Sequence, residues 1–198
     1  MNTKLYRNTQ NYIVKIEEDS VFVEIGSASH QAGSTLYYAD LAHQYNTILH
    51  TVDLNNTPEN MLANWKQHFA CQWHAGVGSD WCYNYASNIG KKISFLYLDN
   101  FDYMYSPSDE FIIEQITKYK EKFNIDMTNR ACQIEHFKQI LFLTPWLADD
   151  CVVIMDDTYL WNECWVGKCG PVVVYLQTQG FKIIDENSRS FEVVMRRG

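Results

Sequence analysis

The sequence lacks the cysteine patterns of disulfide-rich and zinc-binding domains. Its 198 residues include six cysteines, but no C-x-x-C pair and no paired Cys/His spacing of a zinc site. Because 46% of the residues are apolar, the chain can build a full core without disulfide bonds. We therefore expect reduced thiols in a cytoplasmic protein.

Long apolar runs are absent as well. Nowhere do about 18 apolar residues run together, and the polar residues 1–20 contain no apolar segment of a signal peptide. This pattern predicts a protein with no membrane partner that is not exported. The length fits a lead-in at 1–20 and one domain at 21–198, with no low-complexity segment and no internal repeat.

Basic residues are too few to balance the acidic ones. Sixteen lysines and arginines stand against 24 aspartates and glutamates, which leaves a formal net charge of −8. Because this charge repels a phosphate backbone, it argues against nucleic acid as the main partner. A local basic patch stays open as an alternative.

Residues 21–42 contain a strand, a loop of small residues and a helix. The apolar run VFVEI stops at Gly26, which is typical of a strand buried on both faces of a parallel sheet. From Gly33 onwards, apolar residues recur at helical spacing. Such a loop brings unpaired backbone N–H groups toward the strand's carboxyl end, where a ligand can bind.

Strand and helix patterns alternate along the remaining chain. Strands are predicted at 47–53, 71–77, 93–98 and 151–155, with a closing pair at 182–185 and 191–195. Helices are predicted at about 58–69, 106–123, 131–147 and within 167–180, and the loop residues 78–80 lead into a further helical stretch that ends at Gly90. The alternation predicts an α/β sheet, and right-handed crossovers would place the acids at the strand ends along one edge.

The ordered motifs resemble class I S-adenosylmethionine-dependent methyltransferases. VEIGSASHQAGST followed by TVD is similar to the cofactor-binding half of the subgroup with catechol O-methyltransferase and small-molecule or sugar O-methyltransferases, and LYLDNFDY and VVIMDDTY follow in that subgroup's order. The resemblance covers about residues 21–196. It implies a Rossmann-like three-layer sandwich, with a mostly parallel seven-stranded sheet and an antiparallel last strand, and O-methylation of a small-molecule hydroxyl.

The resemblance also implies a set of cofactor-binding residues. They are Glu24, Gly26, Ser27, Gly33, Ser34, Asp53, Gly78, Ser79, Asp80 and Asp99. Glu24 would hold the loop or the methionine amino group, and Asp53 would accept hydrogen bonds from both ribose hydroxyls. Residues 78–80 would lie along the adenine. Dinucleotide binding is the closest alternative, but no G-x-G-x-x-G motif occurs at Gly26.

Asp99, Asp156 and Asp157 form a candidate metal site. If the fourth and fifth strands are neighbours, the three carboxylates converge, and their repulsion requires a cation or bound protons. Oxygen ligands favour Mg²⁺, Mn²⁺ or Ca²⁺, and in the metal-dependent members of the resembled family such an ion binds adjacent substrate oxygens. Alternatively, Asp157 or Thr158 caps a loop and Asp156 faces solvent.

Asp99 and Asp102 are the predicted catalytic residues. In the catechol-type pattern a lysine lies three residues after the first metal aspartate, where this chain has Asp102. Asp102 can act as a base only if its pKa is raised; otherwise it is a fourth metal ligand or an exposed acid. Lys168 is a second candidate for the base or a substrate contact, or else a solvated charge. His30 and His136 are expected to be structural or surface residues.

Aromatic residues follow the acids at the ends of the fourth and fifth strands. They are Phe101, Tyr103, Tyr105, Tyr159, Trp161 and Trp165. They could wall a pocket for a ring or a sugar, pack beneath the loops, or form a homodimer contact. Because a fold does not fix an activity, two further functions stay open: a hydrolase- or hydroxylase-like enzyme, and a cofactor- or partner-binding module without turnover.

Overall fold

A seven-stranded sheet runs through the centre of the molecule. The computed structural model describes residues 5–27, 33–56, 68–106, 108–188 and 190–197. The strands of the sheet are β1 (Val21–Ile25), β2 (Leu49–Asp53), β3 (Cys71–Ala75), β4 (Ile93–Leu98), β5 (Leu147–Met155), β8 (Phe181–Asn187) and β9 (Glu192–Arg197). Two further strands, β6 (Thr158–Trp161) and β7 (Cys164–Gly167), form a separate two-stranded sheet. The order in the sheet is β3-β2-β1-β4-β5-β9-β8. β1 to β5 pair in parallel, and β9 is antiparallel to both of its neighbours, which confirms the predicted sheet.

Helices cover both faces of this sheet. They are α1 (Ser34–Gln44), α2 (Gly78–Tyr83), α3 (Tyr85–Asn88), α4 (Glu110–Phe123), α5 (Asn129–Leu143) and α6 (Gly170–Thr178), with 3₁₀ turns at Leu5–Asn11 and Thr144–Trp146. Phe22 and Phe95 pack with α1 on one face, whereas Val23 and Leu96 pack with α2, α3, α5 and α6 on the other. The three-layer α/β sandwich is confirmed.

The middle strands explain the clearest patterns in the sequence. β1 and β4 are buried along their whole lengths because a parallel sheet covered on both faces leaves no side of a central strand in water. β3 lies at the edge of the sheet and is half exposed, so its sequence CQWHA gives a weak strand signal.

Several helix boundaries differ from the predictions. α4 begins at Glu110 rather than at Ser106, because the carboxylate of Asp109 accepts the hydrogen bond from Ile112 N and caps the helix. α5 ends at Leu143, before the 3₁₀ turn that contains Pro145, and β5 begins at Leu147. The helical stretch predicted between residues 78–80 and Gly90 is two helices, α2 and α3, and the first of them already begins at Gly78. The helix predicted from Pro58 falls largely on residues 57–67, outside the described residues.

A β-hairpin formed by β6 and β7 was not predicted. The strands pair antiparallel from Thr158 with Gly167 to Trp161 with Cys164. Asn162 and Glu163 form the turn, both with positive φ (46° and 64°). The hairpin therefore returns the chain to the end of β5.

The lead-in packs against the sheet. The hydroxyl of Tyr12 donates to Asp185 Oδ2 in β8 at 2.6 Å, and Ile13 is buried in the core beside α1. The division into a lead-in and a domain at residue 21 stays a prediction. All six cysteines are free. Among the described residues, none of the helices has the length and apolarity needed to cross a membrane.

Candidate functional site

The carboxyl ends of β2, β3 and β4 border a narrow cleft, here called the edge cleft. Its enclosed volume is only about 10 Å³, close to that of a single water site, and its walls include Asp53, Gly76, Gly78, Asn100, Phe101 and Tyr119. Asp53 closes β2, and Asn100 and Phe101 follow β4. Ligands of open parallel sheets bind outside these strand ends, so the edge cleft is the first candidate for a ligand site.

Asp53 is held in a fixed position at the edge cleft. Its Oδ1 accepts a hydrogen bond from Asn55 N at 2.6 Å, and its Oδ2 accepts one from Ser27 N at 3.3 Å. A carboxylate has about four acceptor sites, which suits it to bind a pair of adjacent hydroxyls. The predicted acceptor therefore lies at the mouth of a cleft, as its place after β2 requires.

Two aromatic rings border the same cleft. Phe101 and Tyr119 meet edge to face with ring centroids 5.5 Å apart. Tyr119 comes from α4, and burial raises the pKa of its hydroxyl. Sequence analysis missed Tyr119, because helical periodicity places it on a helix but does not show what that helix faces.

Glu24 connects β1 with β2 and α1. It is fully buried, its Oε1 accepts from Ser34 Oγ at 2.7 Å, and its Oε2 accepts from Thr51 Oγ1 at 2.6 Å. Burial raises the pKa of this carboxyl to about 7, although the hydroxyl donors of Thr51, Ser34 and Thr35 act in the opposite direction. These bonds hold the start of α1. A contact with the methionine amino group stays a prediction.

The first loop after β1 is only partly described. Gly26 has φ of +99°, and a Cβ there would lie 2.5 Å from backbone atoms of Asp99, so glycine allows β1 and β4 to end side by side. Ser27 Oγ is 2.7 Å from Thr51 Oγ1. Gly33 is the N-cap residue of α1. The intervening residues 28–32, with His30, lie outside the described residues.

Residues 78–80 form the first turn of α2 rather than a loop. Gly78 borders the edge cleft. Ser79 donates from its backbone N to Glu135 Oε1 at 2.7 Å and from its hydroxyl to Glu135 Oε2 at 2.8 Å, which ties α2 to α5. Asp80 is exposed. The contacts of Ser79 and Asp80 with a ligand stay predictions.

The three aspartates of the candidate metal site lie together. Carboxylate atoms of Asp99, Asp156 and Asp157 are all within 4.8 Å of one another. Lys168 Nζ lies 2.8 Å from Asp99 Oδ1 and 2.9 Å from Asp157 Oδ2, and the lysine side chain is only 4% exposed. The alternative that Lys168 is a solvated charge is therefore wrong, and so is the alternative that Asp156 faces solvent, since that residue is 3% exposed.

Charges in this cluster shift two pKa values. Burial by itself would lower the pKa of Lys168, but Asp99 and Asp157 raise it well above its ordinary value, so the lysine stays charged. Burial raises the pKa of Asp102; Lys168 acts in the opposite direction, and Asp157 adds to the increase. The role of Asp102 as a base stays a prediction.

His136 lies in the core behind this cluster. It is fully buried, and its Nδ1 donates to the carbonyl oxygen of Cys132 at 2.8 Å. Burial lowers the pKa of the ring to about 3, so the imidazole is neutral. These contacts agree with the expected structural role.

Four aromatic rings lie next to the carboxylates; we call Tyr103, Tyr105, Tyr159 and Phe191 the aromatic cluster. Ring centroids are 5.2 Å apart for Tyr103 and Tyr105, 5.4 Å for Tyr105 and Phe191, and 4.6 Å for Tyr159 and Phe191. Burial, with a contribution from the charge of Asp157, raises the pKa of the Tyr105 hydroxyl. Phe191, from the turn before β9, was missed because nothing in its local sequence places it here.

Two of the predicted aromatic residues lie elsewhere. Trp161 is exposed at the end of β6, and Trp165 packs against the core. The hairpin causes this difference, since it carries Trp161 away from the strand end.

Comparisons by sequence give no family. No protein-family model matches the chain, and no curated protein matches it. A solved protein of Streptococcus mutans, described as a methyltransferase and bound to SAH, is similar in structure over 100% of both chains, with a TM-score of 0.56 and 10% sequence identity.

Two other solved structures extend the comparison. CalS11, a TDP-rhamnose 3'-O-methyltransferase of calicheamicin biosynthesis, matches 98% of this chain and 77% of its own, with a TM-score of 0.59 and 13% identity. A protein of Clostridium thermocellum described as an rRNA methylase matches 99% of this chain and 97% of its own, with a TM-score of 0.55 and 10% identity. The chain therefore has the Rossmann-like fold of class I S-adenosylmethionine-dependent methyltransferases.

Proposed function

We propose that this protein is an S-adenosylmethionine-dependent methyltransferase that methylates a hydroxyl group of a small molecule. The observation that carries the proposal is the edge cleft, which opens at the carboxyl ends of parallel strands and has Asp53 at the end of β2. The structure with SAH, the product of methyl transfer from this cofactor, supports the same cofactor here.

The chemistry of the residues around the cleft supports this cofactor. Asp53 would bind the ribose hydroxyls, and the rings of Phe101 and Tyr119 would pack against the adenosine. Glu24 and Ser34 would position the loop beside the methionine end. Gly26, Ser27, Gly33, Gly78, Ser79, Asp80 and Asp99 complete the proposed cofactor site.

The proposed reaction needs alignment and one proton acceptor. Bound S-adenosylmethionine would supply a methyl group on a sulfonium sulfur. As the acceptor oxygen forms a bond to this methyl carbon, the bond between the carbon and the sulfur breaks and leaves SAH. Asp99 would hold the acceptor, and Asp102 would take the hydroxyl proton and pass it to water. The raised pKa of Asp102 supports this role, because a carboxylate of ordinary pKa is a weak base.

The charges of the site favour a small neutral or cationic acceptor over RNA. Asp99, Asp102, Asp156 and Asp157 lie there with Lys168, whose ammonium is already paired with two of them. A phosphate chain would be repelled by these acids and by the net charge of −8. The aromatic cluster offers ring faces against which a sugar or an aromatic ring can pack.

A divalent ion does not fit among the carboxylates while Lys168 is bound there. Carboxylates are ligands that Mg²⁺ prefers, but the ammonium already contacts two of the three. No step of the proposed reaction requires a metal. We further propose a cytoplasmic location, which the six free cysteines support, whereas a homodimer stays a prediction.

Replacing Asp53 with alanine is expected to weaken cofactor binding by at least about 10-fold, because two hydrogen bonds to a charged group are lost. Calorimetric titration with S-adenosylmethionine and SAH measures this, with NAD as the competing ligand. Asp149→Ala, which removes a fully exposed carboxylate, is the matched control and should bind like the wild type.

Each outcome of this titration has a definite meaning. Binding of both ligands but not NAD supports the proposal, and unchanged affinity in Asp53→Ala would place the ribose elsewhere. If the wild type binds neither ligand, the proposal fails, and the alternatives are a partner-binding module or a hydrolase- or hydroxylase-like enzyme on the same fold.

A further inference from the structure

Lys168 lies among three clustered carboxylates that would otherwise attract a metal ion. Its Nζ lies within 2.9 Å of oxygens from both Asp99 and Asp157, and these oxygens belong to a set of three carboxylates that converge within 4.8 Å. A divalent ion bound by the same oxygens would lie about 2.0–2.6 Å from each of them. The ammonium and the ion would therefore need the same place.

The backbone fixes this lysine beside its partner. Lys168 N donates to the carbonyl oxygen of Asp157 at 2.9 Å, just beyond the pair formed by Thr158 and Gly167. Gly167 has φ of +89°, and a Cβ there would lie 1.9 Å from the same carbonyl oxygen. The hairpin therefore holds the backbones of Asp157 and Lys168 side by side. This pairing places the lysine side chain within reach of the carboxylates.

Burial makes the exchange of lysine for metal unfavourable. The Lys168 side chain is 4% exposed, and its ammonium donates a charge-assisted hydrogen bond to Asp99. A metal could enter only if the ammonium left these partners or stayed beside a second cation. Both changes cost free energy, the first through lost ion pairs and the second through repulsion.

We propose that the ammonium group of Lys168 is a built-in cation that takes the place of a divalent ion among Asp99, Asp156 and Asp157. The protein therefore neither binds a metal there nor needs one for its reaction. The statement about the reaction rests on the proposed function; the statement about metal binding does not.

Removing the ammonium should create a metal site. In titrations with Mn²⁺ followed by electron paramagnetic resonance, we expect no binding by the wild type up to about 1 mM. Lys168→Met, which keeps an unbranched side chain one atom shorter and without the charge, should bind Mn²⁺ at least about 10-fold more tightly than the wild type. Adding Asp157→Asn should abolish the gain, and Lys182→Met, at an exposed lysine of β8, should behave like the wild type.

Metal binding by the wild type can overturn this proposal without the Lys168→Met variant. Mn²⁺ binding by the wild type below about 100 µM that Asp157→Asn removes would show that Lys168 does not exclude the metal, whether or not Lys168→Met folds. A folded Lys168→Met with no gain would refute it as well. Calorimetry with SAH in the presence of EDTA tests the cofactor separately, so a failure of the metal inference is distinguishable from a failure of the proposed function.

Discussion

Asp102→Asn is expected to lower kcat by about 100- to 10,000-fold and to leave the affinity for SAH within about two-fold of the wild type. Asparagine keeps the size of aspartate but cannot accept the hydroxyl proton. The measurement is the rate of SAH formation at saturating S-adenosylmethionine, with an acceptor found by screening hydroxylated sugars and phenols.

The pH dependence of kcat provides an independent test of the same residue. Burial raises the pKa of Asp102, with Asp157 adding to the effect and Lys168 opposing it. Because a base must be deprotonated, the wild-type rate should rise as the pH increases through this raised pKa and then level off. The asparagine variant should lose this acidic limb.

Asp126 provides the matched control for Asp102. Its exposed carboxylate pairs with Lys120 on the surface, so Asp126→Asn should keep the wild-type kcat. If Asp102→Asn retains more than about a third of kcat, Asp102 is not the proton acceptor, and Asp157, which pairs with Lys168, is the next residue to replace.

The fold could be predicted because its central strands are encoded locally. VFVEI and ISFLYL are mostly apolar runs, interrupted only by Glu24 and Ser94, and each ends where the sheet meets the site. Parallel pairing then places the strand-end acids at a common edge, so the grouping of Asp53, Asp99 and Asp157 along that edge follows from strand order alone. The position of the site in the sequence can therefore be predicted largely from buried strands that end in acidic residues.

The role of Lys168 could not be predicted, because it depends on a hairpin that the sequence hides. The β6 and β7 sequences TYLW and CWVG lack a regular alternation of polar and apolar residues, and their turn, Asn162 and Glu163, contains no glycine. Without that hairpin, Lys168 is ten residues beyond β6's first residue and has no assigned neighbour. With it, Lys168 N bonds to Asp157 O.

Tyr119 and Phe191 illustrate a second limit. Tyr119 belongs to α4 and Phe191 to the turn before β9, far along the chain from the strand-end motifs beside which they pack. Which loop a helix or turn covers is decided by tertiary packing, and residue type and periodicity do not encode it. Such contacts become visible only once the elements are assembled.

Glu24→Gln is expected to remove a pH-dependent loss of stability of about 3 kcal/mol. Burial raises the pKa of Glu24 from an ordinary 4.5 to about 7 in the folded protein, with Asp99 adding to the increase. Between these two values the folded state holds a proton that the unfolded state has released. The free energy of unfolding therefore falls as the pH rises through this window, and the neutral glutamine has no proton to lose.

Urea unfolding of the wild type and Glu24→Gln at several pH values between about 4.5 and 8 measures this difference. Relative to the variant, the wild type should lose stability as the pH rises from about 4.5 to about 7. Above that range the difference in free energy of unfolding between the two proteins should stay constant. Glu114→Gln, at an exposed i,i+4 pair with Lys118, should follow the wild-type curve. Parallel curves for wild type and Glu24→Gln would instead mean that Glu24 ionises as in water. In that case, the hydrogen bonds to the carboxylate offset the effect of its burial, and at neutral pH Ser34 and Thr51 hold an anion at the start of α1 rather than a neutral acid.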